Sequence, residues 1–297
     1  MTRSRRVLPA MLLVVALLGC SAGTAGPTTD DVASAGSPAT APGQRTRPGG
    51  MMPSGTTGVS GTTGKVGAEV ERLTVAVLER LPHDPGAFTE GLALVDGALY
   101  ESTGLQGRSS VRRVDPATGA VLQLHDLPSS VFGEGLAASG DRLVVLTWTS
   151  GVAFDLDRAT LRPRSEFRYD GEGWGLCGTG SELIQGDGSN RLTRRDAVTF
   201  AVLGTIEVLE AGRPVERLNE LECVGDDIYA NVWLTTDLVR IDAATGRVTA
   251  RIDASALQPA GGGAGDVLNG IAYDPRDDTF LLTGKRWDTL YRVRFRA

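Results

Sequence analysis

Several residue types that carry much of enzyme chemistry are scarce in this chain. Histidine occurs only at His83 and His125, so a histidine-rich zinc site or a Ser-His-Asp triad has little support. Lysine occurs only at Lys65 and Lys285, and every other basic side chain is arginine. The net charge is −6 and no basic stripe is present, which argues against nucleic acid as a partner.

Cysteine is also rare, with three in the chain. Cys20 follows three arginines and an apolar run, residues 8–18, that is too short to span a bilayer as a mature helix. The sequence Leu-Leu-Gly-Cys at 17–20 resembles the lipobox of bacterial lipoproteins, which implies cleavage before Cys20 and its acylation. An ordinary secretory signal with a chance cysteine is the alternative.

These features divide the chain into three parts. Residues 1–19 are predicted to be a lipoprotein signal peptide. Residues 20–70 are rich in Gly, Ser, Thr and Pro with little to bury, which predicts a disordered tether. Residues 71–297 amount to one domain. We therefore expect an exported monomer, held by lipid on the outer face of the bacterial cell membrane.

The folded part contains an internal repeat. An apolar anchor recurs at spacings of 44, 40, 45 and 50 residues. The anchors are Leu92, Leu136, Leu176, Leu221 and Ile271. A second apolar anchor follows seven residues later in the first four repeats and nine later in the fifth. Alternating apolar residues and turn residues predict four short antiparallel strands in each repeat, and no segment has a sustained helical period.

Four strands in 40 to 50 residues are typical of a β-propeller blade. The sequence thus predicts an all-β, five-bladed β-propeller with four-stranded antiparallel blades. The fifth repeat ends after its third strand, at residues 290–295. We predict that an N-terminal strand at residues 73–78 supplies the missing fourth strand and closes the ring, leaving no open blade edge.

Equivalent positions in a propeller form rings around the central channel. The position two residues before the first anchor is occupied by Glu90, Glu134, Trp174, Asn219 and Asn269. The position five residues after the second anchor is occupied by Gly104, Trp148, Gly188, Trp233 and Lys285. A set of equivalent positions with a purely structural role would repeat one residue type. These two sets instead contain carboxylate, amide, indole and ammonium groups. Packing between blades alone can also explain each single tryptophan, but the combination predicts a site assembled from several blades.

A set of short motifs in this order resembles a known family. The motifs are F-T-E-G-L, L-Y-E-S-T-G-L, F-G-E-G-L, L-T-W, E-G-W-G-L, D-G-S, L-N-E-L-E, Y-A-N-V-W, N-G-I-A-Y-D-P and T-G-K-R-W. Together they are similar to the plant-type glutaminyl-peptide cyclotransferases, which also occur in bacteria. The resemblance implies a five-bladed propeller that cyclises N-terminal glutaminyl residues to pyroglutamate and releases ammonia.

The resemblance also implies roles for individual residues. The acid–base glutamate falls on Glu134, and the residues that assist it fall on Asn219 and Lys285. Substrate-binding positions fall on Phe88, Glu90, Phe132, Trp148, Trp174 and Trp233. Glu90 stands where a glutamine is common, which leaves substrate preference open. If Glu90 and Glu134 face each other, each raises the pKa of the other and the proton belongs to the pair.

Two other positions depart from the family pattern. Cys177 stands where threonine is usual, and Cys223 stands where an aromatic residue is usual. They follow their anchors by one and two residues, so strand alternation directs them to opposite faces of their sheets. We therefore expect buried free thiols rather than a disulfide, although an oxidising compartment permits one. Asp288-Thr289 after T-G-K-R-W is a further departure, because Pro-Lys is usual there.

The chemistry implied by the family needs no metal or cofactor. Channel carboxylates could still hold a structural calcium ion, because calcium prefers oxygen ligands. Two alternatives remain open at this stage. One is a non-catalytic propeller that binds peptides in its channel, and the other is a metal-dependent, lactonase-like propeller. The sequence favours the cyclotransferase and its substrates, peptides or proteins with an N-terminal glutamine.

Overall fold

The computed structural model describes residues 69–261, 263 and 265–297. The predicted signal peptide, Cys20 and almost all of the predicted tether lie outside these residues. The described part is all-β, with no α-helix and a single 3-10 turn at Ser255–Leu257. No helix among the described residues has the length and apolar character needed to cross a bilayer.

Three separate sheets each contain four consecutive antiparallel strands. The first contains β2 (Thr89–Val95), β3 (Ala98–Thr103), β4 (Ser110–Val114) and β5 (Val121–Asp126). The second contains β6 (Gly133–Ser139), β7 (Arg142–Thr147), β8 (Val152–Asp157) and β9 (Pro163–Arg168). The third contains β10 (Leu176–Gly178), β11 (Glu182–Gly186), β12 (Arg191–Asp196) and β13 (Val202–Glu207). A short hairpin follows, made of β14 (Leu209–Glu210) and β15 (Arg213–Pro214).

The remaining strands form an eight-stranded sheet made of two four-stranded halves. One half contains β16 (Leu218–Val224), β17 (Asp227–Val232), β18 (Asp237–Asp242) and β19 (Val248–Asp253). The other contains β20 (Leu268–Asp274), β21 (Thr279–Gly284), β22 (Thr289–Arg296) and the N-terminal strand β1 (Glu71–Pro82). As expected from the sequence, β1 pairs antiparallel with the C-terminal strand β22. Its first residues also pair parallel with β19, which joins the two halves.

A repeated aspartate–threonine turn links the third and fourth strands in four of these units. The aspartate carboxylate accepts hydrogen bonds from the backbone or side chain of a threonine three residues later. The pairs are Asp115 with Thr118, Asp157 with Thr160, Asp196 with Thr199 and Asp242 with Thr245. Such side-chain bonds satisfy the turn backbone locally, which is why this pattern is visible in the sequence.

Each four-stranded unit packs its apolar face against the next. Clusters of buried residues join the first unit to the second, the second to the third, and so on along the chain. A further cluster joins the last unit back to the first, through Leu92 and Leu99 on one side and Ala272 and Leu281 on the other. This cyclic packing of small antiparallel sheets is consistent with a β-propeller.

The first strands of the units face one another and would leave unpaired edge groups. Glu220 on β16 satisfies two of them, because its carboxylate oxygens accept from the N–H groups of Leu92 (3.2 Å) and Ile271 (2.7 Å). Glu222 accepts from the N–H of Tyr273 at 2.8 Å. Burial raises the pKa of Glu220 well above its ordinary value and that of Glu222 to about 8. These carboxyls tie three separate strands together at the centre.

Cys177 and Cys223 form a disulfide, with 5.4 Å between their Cα atoms. The expectation of free thiols was therefore wrong. Strand alternation directs the two side chains to opposite faces of their own sheets. In this fold, however, the face of one sheet packs on the opposite face of the next, so opposite directions bring the sulfur atoms together. The bond links β10 to β16.

Candidate active site

The glutamates of the predicted ring lie at the start of the first strands of their units. Glu90 lies on β2 and Glu134 on β6, and both strands change register at that point, between Thr89 and Gly91 and between Gly133 and Leu136. Register changes of this kind redirect side chains and are frequent next to active sites. The same irregularity occurs on β16, where Asn219 lies.

Aromatic side chains form one wall beside these strands. The rings of Phe88 and Phe132 meet edge to face with 6.1 Å between centroids, and Phe132 meets Trp148 in the same way at 5.9 Å. The ammonium of Lys285 lies 4.7 Å from the centroid of Phe88. Trp148 is 40% exposed, so this end of the wall is open to solvent.

A second aromatic wall is joined to the first by a carboxylate. Trp174 and Trp233 meet edge to face at 5.4 Å. One oxygen of Glu172 accepts from the indole N–H of Trp148 at 2.7 Å and from that of Trp174 at 2.8 Å. Glu172 thereby holds two tryptophans from different units in one arrangement.

Sequence reasoning missed Glu172. A signal was present, because Glu172 lies two residues before the ring position, at the same place in its repeat as Phe88 and Phe132 in theirs. A carboxylate at a position that is phenylalanine in two other repeats does not by itself indicate a role in the site. Its role depends on where two indole N–H groups point, which repeat spacing does not reveal.

Two glycines in the second predicted ring of repeat positions leave space for aromatic side chains of the site. A Cβ at Gly104 would lie 2.4 Å from the ring of Phe132, and a Cβ at Gly188 would lie 2.7 Å from the ring of Trp174. Gly188 also has a φ of +82°, which other residues rarely adopt. Glycine therefore stands at these two positions because the aromatic side chains of Phe132 and Trp174 occupy the space that a larger residue would need.

Glu90 and Lys285 form a buried ion pair beside Phe88. The ammonium lies 2.8 Å from each carboxylate oxygen of Glu90. Asn269 donates from its Nδ2 to Glu90 at 3.1 Å and to the backbone carbonyl of Thr89 at 2.9 Å. Burial raises the pKa of Glu90, although the positive charge of Lys285 opposes this.

Glu134 is buried next to this pair and hydrogen-bonds to Glu90. Burial and then the charge of Glu90 raise the pKa of Glu134 well above its ordinary value, while Lys285 opposes the shift. The backbone carbonyl of Glu134 accepts from the hydroxyl of Ser102 at 2.6 Å, which fixes the strand. The arrangement is a protonatable carboxyl, a second carboxyl and an ammonium beside an aromatic wall, which suits proton transfer to a bound polar group.

Comparison with known proteins assigns the family. The family model described as glutamine cyclotransferase matches residues 52–295. The chain belongs to this family. A glutaminyl-peptide cyclotransferase of Arabidopsis thaliana is 38% identical over 228 residues, which cover 75% of this chain and 71% of that protein. The crystal structure of Myxococcus xanthus glutaminyl cyclase matches with a TM-score of 0.72 and 39% identity, covering 76% of this chain and 98% of that one.

Asn219 differs from the other predicted site residues of this cyclotransferase family member. It is buried at the start of β16, and its backbone carbonyl lies against Gly175, next to Trp174. Its side-chain amide makes no hydrogen bond within the described part of the chain. Ring contacts, hydrogen bonds and an ion pair, together with Glu172, connect the other eight predicted residues into one site: Phe88, Glu90, Phe132, Glu134, Trp148, Trp174, Trp233 and Lys285.

Metal binding requires several ligand side chains close together. Across the described ranges, no group of three or more His, Cys, Asp or Glu side chains is arranged to hold a metal ion. The structural calcium ion considered from the sequence stays a prediction.

Proposed function

We propose that this chain is a glutaminyl-peptide cyclotransferase that converts N-terminal glutaminyl residues of exported peptides or proteins to pyroglutamate and releases ammonia. The observation that carries the proposal is the buried Glu134, hydrogen-bonded to Glu90 and facing Lys285, in a chain of the glutamine cyclotransferase family. The named relatives, a glutaminyl-peptide cyclotransferase and a glutaminyl cyclase, support the same activity.

Substrate binding has a limited task in this reaction, because both reacting groups belong to one residue. The α-amine must attack the amide carbon of its own side chain, so the pocket has to fold the side chain back and hold it there. We assign this role to five aromatic side chains that form apolar walls. They are Phe88, Phe132, Trp148, Trp174 and Trp233.

Glu134 is the proton shuttle. It accepts a proton from the attacking nitrogen and then donates a proton to the departing amide nitrogen, which leaves as ammonia. Such shuttling contributes about 10²–10⁴-fold to the rate and works best with a pKa near the working pH. The raised pKa of Glu134, caused mainly by burial, supports this assignment because an ordinary glutamate is too weak a base near neutrality.

Lys285 and Asn219 are proposed to stabilise the oxygen that becomes negative during attack. Lys285 brings a cation to the carboxyl cluster. Asn219 is buried, and its side-chain amide has no hydrogen-bond partner among the described residues. A donor aimed at a developing oxyanion is worth about 3–4 kcal/mol of transition-state stabilisation. Glu90 is assigned to the substrate-binding surface, where it holds Lys285 in place.

The supporting fold is inferred to be a five-bladed β-propeller. The three separate sheets and the two halves of the eight-stranded sheet would be the blades. Apolar clusters between consecutive units, and the one between the last and the first, support a closed ring. The pairing of β1 with β22 would then close the last blade with an N-terminal strand.

The proposed setting is extracytoplasmic. Cys20 would carry the lipid anchor, residues 20–70 would be the tether, and the enzyme would act as a monomer without a required cofactor. The lipobox-like sequence at 17–20 and the low-complexity composition after it support this arrangement.

A coupled ammonia assay with Gln-Xaa dipeptides, with and without a chelator, tests the proposed function. We expect ammonia release that the chelator leaves unchanged. Binding of the dipeptide without ammonia release would instead indicate a peptide-binding protein. Hydrolysis of a lactone that the chelator abolishes, with no ammonia from the dipeptides, would indicate the metal-dependent alternative.

A further inference from the structure

We propose that Glu90 and Glu134 hold a single proton between them beside Lys285, and that Glu90 thereby controls the protonation state in which Glu134 meets the substrate. The inference rests on the proposed cyclotransferase activity. Glu90 is a positioning residue in this scheme, because it acts on the reaction through Glu134.

The first argument is the balance of buried charge. Glu90 is 1% exposed, and Glu134 and Lys285 are each 7% exposed, so solvent screens these groups poorly. One ammonium contacts both oxygens of Glu90 and balances one carboxylate. A second ionised carboxyl in the same place would be an uncompensated buried charge, which is strongly unfavourable. One of the two carboxyls therefore retains a proton.

The second argument is the asymmetry of hydrogen-bond donors. Glu90 accepts from Lys285 and from Asn269, and donors of this kind favour the ionised form. The side chain of Glu134 has no N–H donor in the described part of the chain, and its hydrogen-bond partner is Glu90. The proton consequently belongs on Glu134, which donates it to Glu90. The pKa of Glu134 is raised by burial first and by the charge of Glu90 second, in agreement with this direction.

Three other titratable groups interact electrostatically with Glu90 or Glu134. The carboxylate of Glu172 and the hydroxyl of Tyr169 interact electrostatically with Glu134, and Glu220 interacts with Glu90. Burial raises the pKa values of Tyr169 and Glu220. All three groups remain when Glu90 alone is replaced, so that replacement isolates its effect.

The proton on Glu134 can be followed through each step of the reaction. Glu134 first releases this proton to solvent, which leaves it as the base, and the negative charge of Glu90 raises the pH at which that happens. The neutral α-amine forms a bond to the side-chain amide carbon, Glu134 takes one amine proton, and the carbonyl oxygen becomes negative. The carbon–nitrogen bond of the amide then breaks as Glu134 returns that proton to the departing nitrogen, and ammonia leaves. The site gains one positive charge while the oxyanion exists, so the two offset each other.

Glu90→Gln tests the inference through the pH profile of kcat/KM. Glutamine keeps the size of the side chain but removes the negative charge that raises the pKa of Glu134 and leaves Lys285 to lower it. We expect the acid limb of the profile to move to lower pH by about one unit or more. Glu222→Gln is the matched control, since it alters a buried carboxyl that accepts from Tyr273, and we expect its acid limb to stay in place. An unmoved limb in Glu90→Gln, or a shift to higher pH, would overturn the inference.

Infrared difference spectroscopy gives a readout that needs no substrate. At neutral pH we expect the wild-type protein to show the carbonyl band of a protonated carboxyl that both Glu134→Gln and Glu90→Gln lose. Persistence of that band in Glu90→Gln would mean that Glu134 holds its proton alone, which contradicts sharing. The same spectra remain informative if the wild-type protein releases no ammonia, a result that would contradict the proposed function instead.

Discussion

Lys285 and Glu90 form a buried ion pair in which the ammonium lies 2.8 Å from each carboxylate oxygen. The same ammonium lies 4.7 Å from the centroid of the Phe88 ring, a distance at which a cation is attracted to the ring face. Lys285 therefore connects the polar cluster to the aromatic wall, and it is the only lysine in residues 71–297. Substitution of Lys285 can therefore test whether the site requires only its positive charge or also its size.

Lys285→Arg should lower kcat at least about tenfold, although the charge is kept. A guanidinium is planar and larger than an ammonium, so it cannot occupy the space between Glu90 and Phe88 in the same way. Steady-state ammonia release measures the effect. Arg276→Lys is the matched control, because Arg276 is exposed and paired with Asp274, and its activity should be close to wild type. Full activity in Lys285→Arg would assign Lys285 a structural role.

Glu134→Gln should reduce kcat by about 10²–10⁴-fold, because the amide cannot accept or deliver a proton at neutral pH. The substitution preserves side-chain volume, so circular dichroism and the melting temperature should resemble those of the wild type. Ammonia release from a Gln-initiated peptide is the measurement. Near-wild-type kcat in the folded variant would show that another group moves the proton.

Glu172→Ala should raise KM more than it lowers kcat. Without the carboxylate, the indoles of Trp148 and Trp174 lose their common acceptor, and the two aromatic walls are no longer held together. Glu172→Gln retains a carbonyl oxygen that can accept from both indoles and should restore most of the affinity. Equal KM values in the two variants would mean that the charge of Glu172, rather than its contact with the indoles, is what matters.

Cys177→Ser/Cys223→Ser should destabilise the domain with little change in activity. The disulfide closes a loop with a sequence separation of 46 residues. The chain-entropy model assigns such a loop roughly 4 kcal/mol of stabilisation, which corresponds to a melting temperature lower by on the order of 10 °C. Reductant should lower the wild-type melting temperature similarly and leave the double variant unaffected. Equal melting temperatures with and without reductant in the wild type would contradict the bond.

His83 should make the free energy of unfolding depend on pH. Burial lowers the pKa of His83, but the hydrogen bond to Glu101 and its charge outweigh this, so the folded-state pKa lies above 6.5. The resulting stabilisation is fully present below pH 6.5 and is lost as pH rises through the folded-state pKa. Denaturant titrations of His83→Gln should lack this dependence. His125→Gln should retain it, and the opposite outcome would exclude His83 as the origin.

Regularities within one repeat could be predicted from the sequence. Apolar anchors such as Leu136 and Leu143 recur at fixed spacing and are fully buried. In turns such as the one from Asp242 to Thr245, the hydrogen bonds join residues three positions apart, so the turn can be predicted from the residues themselves. The pairing of β1 with β22 followed from a repeat that lacked its fourth strand. These features depend on strand alternation and nearby hydrogen bonds, which are encoded by residues close together in the chain.

Relationships between repeats were decided by the tertiary structure. Strand alternation predicted opposite directions for Cys177 and Cys223 and so favoured free thiols, but the packing of one sheet on the next made them partners. Glu172 acquired its role because two indole N–H groups from different units converge on one oxygen. The choice of Glu90 as the partner of Lys285 likewise depends on the distance between the first and last units, because charge and hydrogen bonding act through space rather than along the chain.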